Sequence, residues 1–443
     1  MEPESLAGAA DDESPDRDLV RRAVAVLDAN WLGAATSPSV RLYPHQWSWD
    51  SACIAMGYAP VDQSRAESEF RSLFAGQWKN GLLPHIVYTD GAHYFPGPEF
   101  WETDRSPDAP ERPRTSGIVQ PPVHATAAWR FYRRARDRKR AAAFLEELFP
   151  ELVAWHGYLY RERARDGDGL VEIWHPWESG MDNSPLWDAA LERIEPEQLA
   201  YERIDVRIAD PDERPSDREY DRYVHLVGLF RGLGYRSDAI REVTPFALQP
   251  VLFNSLLVQA NRDLAEIARL LGSDHRELEA WADQTESAIE GKLWEEEHGI
   301  YVDFDVTARA HVRVHTATGL SPLYAGVPEP ARAARLINAL SRWQVDVDGA
   351  WAIASFAPDE PGFQPTRYWR GPIWPIVNWV VARGLDRYGY TEQAAAVRAA
   401  IVGLSRRNGF WEHYSPVTGD GHGAGEFAWT AGLVLDLLHE DGR

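Results

Sequence analysis

From Asp16 onward, apolar residues recur at three- and four-residue spacing, the period of a helix with one buried stripe. The pattern predicts helices over residues 16–31, 49–59, 61–77, 122–136, 138–163, 218–235, 248–272, 276–293, 317–325, 329–342, 372–388, 391–407 and 424–440. Strand signals are confined to two short stretches, 83–88 and 300–304. The helices are of two kinds. Those over 138–163 and 392–407 carry charge on one face, as an outer layer would, whereas those over 373–383 and 427–438 are apolar almost all round and call for burial. A dozen or so helices in buried and exposed pairs predicts an all-α fold, an (α/α)₆ barrel of six helical hairpins with long active-site loops. No linker rich in Pro, Gly or Ser divides the chain, so residues 16–443 read as a single domain, after a small, acidic, aperiodic stretch (1–15) expected to be disordered. The segments 79–121 and 164–217 are long for loops in a compact domain, and loops of that length are usually functional.

Composition narrows the function classes. A formal net charge of -22 opposes a nucleic-acid partner, whose phosphates would be repelled. No apolar run reaches the roughly 18 residues of a membrane span, and the acidic N-terminus has no apolar core of a secretory signal. The single cysteine, Cys53, rules out an internal disulfide. The expectation is a cytoplasmic protein without a membrane or nucleic-acid partner; a homo-oligomer is compatible with the sequence. The 19 tryptophans are the informative excess. Many stand beside Gly, Pro, Asp and His instead of in apolar stripes, which suits a sugar site, where C–H faces pack on indole and hydroxyls need polar partners.

Four clusters concentrate such residues: Tyr43-Pro44-His45-Gln46-Trp47-Ser48-Trp49-Asp50, the stretch Trp174 to Pro185, the stretch Tyr368 to Pro375, and Phe410 to Pro416 followed by the Gly-rich run 419–425. Each lies at or near the mouth of a helix expected to be buried. Cutting a glycosidic bond needs one carboxyl held protonated for the leaving oxygen and one ionised carboxylate for water or the anomeric carbon. Aromatic walls raise a carboxyl pKa by desolvating its anion. Asp182, beside Met181 and near Trp177, has neighbours suited to the acid, and Glu412, between Trp411 and His413, suits the base; on spacing alone Asp50, Glu178 and Glu426 compete with them.

These clusters resemble those of glycoside hydrolase family 63 and its trehalase relatives, from about residue 40 to the end, and within it the bacterial glucosylglycerate and mannosylglycerate hydrolases. The subgroup's Ser-Gly-x-Asp motif matches Ser179-Gly180-Met181-Asp182, and its Glu-x-Tyr motif matches Glu412-His413-Tyr414. The resemblance implies the (α/α)₆ barrel, inversion at the anomeric carbon, Asp182 as general acid, and Glu412, not Glu426, as general base. It also implies Trp49 and Asp50 as a hexose-holding pair, Trp369 and Trp374 as the aromatic wall, and Tyr43, Gln120, Arg214 and Tyr220 on the acceptor side. Trp47, Trp177, Gly180 and Tyr368, from the same motifs, complete the expected substrate-binding set. The implied substrate is a small α-hexoside of an acidic acceptor, α-glucosylglycerate or α-mannosylglycerate; neutral di- and oligosaccharides are the alternative, although the trehalase motif Gln-Trp-Asp-x-Pro-Asn-x-Trp is not found. A sugar epimerase or a sugar-binding protein without turnover are the readings from other classes.

No cofactor or metal is expected. His-Glu-x-x-His does not occur; Asp166-Gly167-Asp168-Gly169 reads as a tight turn, since Trp177 stands where a calcium loop places its bidentate Glu. The run Gly421-His422-Gly423-Ala424-Gly425 lacks dinucleotide spacing, and no strand is expected before it.

Overall fold

The computed structural model describes residues 15–165, 167–197 and 199–439. The expectation for residues 1–15 lies outside the described residues, apart from Pro15, which opens the first helix. The fold is mostly helical. In chain order the principal helices are α1 (Pro15–Ala29), α2 (Ser48–Tyr58), α3 (Gln63–Phe74), α4 (His124–Arg134), α5 (Arg138–Tyr158), α6 (Asp217–Gly232), α7 (Val251–Leu271), α8 (Arg276–Ala288), α9 (Ser321–Ala325), α10 (Pro330–Asn338), α11 (Pro375–Arg387), α12 (Thr391–Asn408) and α13 (Ala428–Leu438).

Each lies within or nearly within a stretch marked by the apolar period, and local chemistry sets the ends. Asp62 and Asp137 accept backbone N–H groups at the starts of α3 and α5, Ser216 and Glu219 form a reciprocal capping box on α6, and Gly272 ends α7 with a left-handed φ of 70°. Two stretches that read as longer helices change pitch instead: α5 and α8 continue as π turns at Leu159–Arg163 and Ile289–Leu293.

The buried helices close on themselves. α2 packs on α4, α4 on α7, α7 on α9, α9 on α11, α11 on α13, and α13 returns to α2. α1, α3, α5, α8 and α12 pack respectively against α13, α2, α4, α7 and α11 as a second layer. Every residue of α2, and every residue of α13 before its last, is buried. Where these two meet the backbones touch: a Cβ on Gly57 would collide with Gly432. Below the loops, Asp436 of α13 is fully buried and joined by Arg130 and Arg134 of α4 and by Trp379 and Arg383 of α11.

Small antiparallel pairs decorate this frame. Gln46–Trp47 pairs with Ile86–Val87, docking the first cluster on the loop 79–121. Phe304–Asp305 joins Leu248–Gln249, residues the apolar period had assigned to a helix, and Ala310–His311. The hairpins Gln344–Val347 with Ala350–Ile353, and Trp411–Tyr414 with Gly421–Gly425, were not foreseen.

Candidate active site

The loops leading into α2, α4, α11 and α13, with the two long loops, surround one cavity, lined by aromatic rings with a few convergent polar groups as small-molecule sites are. The side that carries Asp182 is built on a single turn. Pro176–Ser179 forms a 3-10 turn closed by Gly180. Gly180 has φ 71°, and a Cβ there would stand 2.5 Å from the Trp49 ring, so backbone and indole together require glycine. The Ser179 hydroxyl donates to the Pro176 carbonyl (2.6 Å) and accepts from the Met181 N–H (2.9 Å). Trp187 Nε1 donates to the Met181 carbonyl (2.7 Å), and the Tyr223 hydroxyl to the Asp182 carbonyl (2.6 Å). With its backbone so fixed, Asp182 lines the cavity. Burial pushes its carboxyl up to about 6 against the pull of Arg214 and of its own N–H, and the charge of Glu412 adds to the rise.

Glu412 sits at an irregularity in the hairpin, where the register shifts between Trp411 opposite Gly425 and His413 opposite His422. Its Oε1 accepts from the hydroxyls of Tyr43 (3.0 Å) and Tyr368 (2.6 Å), and its Oε2 from the Ala424 N–H (3.1 Å). The Gly-rich run is therefore a strand with a strand before it, contrary to the sequence expectation. Its glycines make room: a Cβ on Gly423 would fall on Glu412 Oε2, and one on Gly421 on the Trp411 ring. Burial raises the Glu412 carboxyl, opposed by Arg214, Tyr368, the Ala424 N–H and Tyr43.

Trp49 and Asp50 occupy the first turn of α2, the Trp49 N–H donating to Gln120 Oε1 at 3.2 Å. Burial, and then the charge of Glu412, raises the Asp50 carboxyl well above its ordinary value. The indoles of Trp49 and Trp429 meet edge to face at 4.9 Å. Trp374 lines the cavity; Trp369, expected in the wall beside it, does not, and is stacked against Trp374 at 3.7 Å as its support.

Among the described residues, Arg214 is the one Arg or Lys that lines the cavity. The capping box of α6 begins two residues later and fixes the chain there. Its Nε donates to buried Asp205 (3.2 Å), its Nη1 to the Tyr43 hydroxyl (2.9 Å), and its guanidinium lies 4.3 Å from the Tyr368 ring centre. Of the acids that the sequence places near it, Asp217 pairs with Arg203 (3.0 Å) and Asp210 caps its own turn, so neither neutralises Arg214. Tyr220 lines the same side, its hydroxyl on the Phe95 carbonyl at 3.4 Å.

Residues 43–430 match the family model of the mannosylglycerate hydrolase MGH1-like glycoside hydrolase domain. The chain belongs to this glycoside hydrolase family. It is 49% identical to a mannosylglycerate hydrolase of Rubrobacter radiotolerans, over 96% of this chain and 97% of that protein. It is 38% identical to a glucosylglycerate hydrolase of Mycolicibacterium hassiacum, over 95% and 97% of the two. Among solved structures it resembles a GH63 mannosylglycerate hydrolase from Thermus thermophilus in complex with Tris and D-glycerate (TM-score 0.89, 45% identity, 94% of this chain and 99% of that one).

In this glycoside hydrolase, Tyr43, Trp47, Trp49, Asp50, Gln120, Trp177, Gly180, Asp182, Arg214, Tyr220, Tyr368, Trp374 and Glu412 all line the one cavity. The competing carboxylates fall elsewhere. Glu178 is fully buried in an ion pair with Arg163 (2.6 Å) and accepts the Trp174 N–H at 2.6 Å, which fixes the loop leading to Asp182. Glu426 is exposed. Sequence reasoning missed Tyr94, Asp205, Phe427 and Trp429, which also line the cavity. Trp429 had a signal, an indole in the first turn of an almost wholly apolar helix. Asp205 had none, because its partners Arg203 and Arg214 meet it only in the folded loop. Among the described residues, Glu295, Glu297 and His298 form one group with the spacing of metal ligands; none of them lines the cavity.

Proposed function

We propose that this glycoside hydrolase cleaves α-mannosylglycerate or α-glucosylglycerate to hexose and glycerate with inversion, Asp182 acting as general acid and Glu412 as general base. The observation that carries this reading is the unequal dressing of the two carboxyls in one desolvated cavity. Three hydrogen-bond donors favour the anion of Glu412, whereas Asp182, pushed up to about 6, has only its own N–H and the field of Arg214 against burial. In the reaction Asp182 gives its proton to the glycosidic oxygen while water, losing a proton to Glu412, attacks the anomeric carbon from the opposite face. The C–O bond to glycerate breaks, and the proton from water restores Asp182 through solvent after release. Asp50 accepts hydrogen bonds from hexose hydroxyls between Trp49 and Trp374, and Arg214 binds the glycerate carboxylate, with Tyr43, Gln120 and Tyr220 as neutral partners.

The names of the relatives and the D-glycerate of the Thermus thermophilus complex support the acceptor, and the buried Arg214, with Nη2 outside its two bonds, is the group that suits it. We read the scaffold as an (α/α)₆ barrel in one domain, supported by the closed cycle of six buried helices. Among the described residues no helix is long and apolar enough to cross a membrane; a cytoplasmic location belongs to the same proposal. The testing experiment offers the purified protein α-mannosylglycerate, α-glucosylglycerate, trehalose and short α-glucans in parallel. The reading predicts that one or both hexosylglycerates give the highest kcat/KM; faster cleavage of the neutral sugars would overturn the acceptor assignment.

A further inference from the structure

Glu213 precedes Arg214 but points its carboxylate elsewhere, across to the hairpin that carries Glu412. Its Oε1 accepts from His422 Nδ1 at 2.5 Å, and its Oε2 from the Gly423 N–H at 3.1 Å. Its carbonyl accepts the N–H of Tyr368 at 2.9 Å, and the hydroxyl of that tyrosine donates to Glu412 Oε1. The next N–H along the strand, that of Ala424, donates to Glu412 Oε2. Three of the polar groups around Glu412 therefore lead back to this one residue. The Gly423 N–H that it holds adjoins the Ala424 N–H, its own carbonyl holds Tyr368, and Arg214 is its neighbour in sequence. Gly423 tightens the arrangement, since a side chain there would fall on Glu412 Oε2. The link is mostly shielded, the side chains of Glu213 and His422 being 13% and 21% exposed. The hydrogen bond that His422 donates to Glu213 raises its imidazole towards the charged form despite burial, which strengthens the pair.

We propose that Glu213 is a positioning residue that couples acceptor recognition to the base, tying the loop that bears Arg214 to the strand that dresses Glu412. The inference rests on the roles proposed for Arg214 and Glu412. Without this tie the loop and strand part. Arg214 is then less well placed for a carboxylate, and Glu412 loses part of the field and hydrogen bonding that favour its anion. The charged and titratable groups facing Glu412 are Arg214, Tyr43, Tyr368, Asp50, Asp182 and Tyr94; Glu213 acts on it only through Arg214, Tyr368 and the Ala424 N–H.

The test measures kcat and KM separately, over pH, for wild type, Glu213→Ala and Glu213→Gln on the hexosylglycerate turned over best. Glu213→Ala should lower kcat/KM by about tenfold or more, the scale of losing a charge-assisted hydrogen bond, with KM raised and kcat lowered together. The acid limb of the profile should move to higher pH, because a less well dressed Glu412 ionises later. Glu213→Gln keeps an acceptor for the Gly423 N–H and should fall between the two; if Glu213→Ala does not fold, this variant carries the test with a smaller shift in the same direction. Unchanged parameters overturn the proposal, and so does a loss of kcat with an unmoved acid limb, the mark of a purely structural role. Should wild type spare hexosylglycerates yet cleave another α-hexoside, the acceptor reading fails, and the acid limb on that substrate still decides the coupling.

Discussion

Asp182 and Glu412 are chemically alike carboxyls on one cavity, so in the proposed reaction their neighbours set their duties. Asp182→Asn and Glu412→Gln keep volume while removing the proton donor or the base. Each should cut kcat by about 10²–10⁴ with an unchanged helical circular dichroism spectrum, and an activity above a tenth of wild type would remove that residue from its role. The pH profile follows from the same pair. The proposed reaction requires protonated Asp182, so kcat/KM should fall as pH rises through about 6; it requires ionised Glu412, so kcat/KM should also fall on the acid side. The limbs belong to the coupled pair, since the Glu412 charge raises Asp182 and the interaction is mutual. Arg214→Ala leaves a carboxylate unpaired in a desolvated site, at about 2–5 kcal/mol, a loss of at least about thirtyfold in kcat/KM on a hexosylglycerate. A neutral analogue such as α-glucosylglycerol should change little; equal losses on both would make Arg214 a support of its loop. At this scale the sequence was most legible where a motif is contiguous, as from Ser179 to Asp182. It was least legible where partners come from afar. Asp205 and Tyr94 enter the cavity from long irregular loops, and Trp369 stacks behind Trp374 instead of beside it, an arrangement that spacing does not encode.

Helices repeat the lesson. Burial stripes and caps are local, so the apolar period located the long helices but missed the short Ser237–Val243, and the hairpin under Glu412 was invisible: its Gly-rich strand has no apolar alternation, and its glycines answer to Trp411 and Glu412 instead. Two tests probe how the helices are held. Gly57 would gain about 1 kcal/mol in helix propensity as alanine, but its Cβ would enter the backbone of Gly432. Gly57→Ala should therefore be net destabilising by about 1–3 kcal/mol or more in chemical denaturation; a more stable variant would contradict the close crossing. Asp436 is the second. Burial raises its carboxyl, yet Arg130, Arg383 and Arg134 hold it well below the usual range. Its contribution is present above an unfolded carboxylate pKa of about 3.9 and is lost as pH falls below it. Asp436→Asn should cost about 3–5 kcal/mol at neutral pH, with the gap to wild type narrowing in acid, and a constant gap would exclude the ionic contribution.

On the scale of the whole molecule, the cycle of buried helices is a frame whose connecting loops do the chemistry. The first and last motif clusters stand at opposite ends of the chain, yet the closing contact of α13 on α2 brings the Tyr43 and Glu412 side chains within 3.0 Å. The closure was expected from alternating buried and exposed helices. The entry of Tyr94 and Asp205 into the cavity was not, because it depends on how the loops 79–121 and 164–217 fold back over the frame. In the proposed reaction acid, base and cation act on one substrate, with water attacking opposite the departing glycerate. The most direct measurement of that claim is proton NMR of the sugar first released from α-mannosylglycerate or α-glucosylglycerate, recorded before mutarotation. The account predicts the β-anomer of the hexose, formed together with glycerate. The α-anomer appearing first would contradict the assignment of Glu412 as a base acting through water.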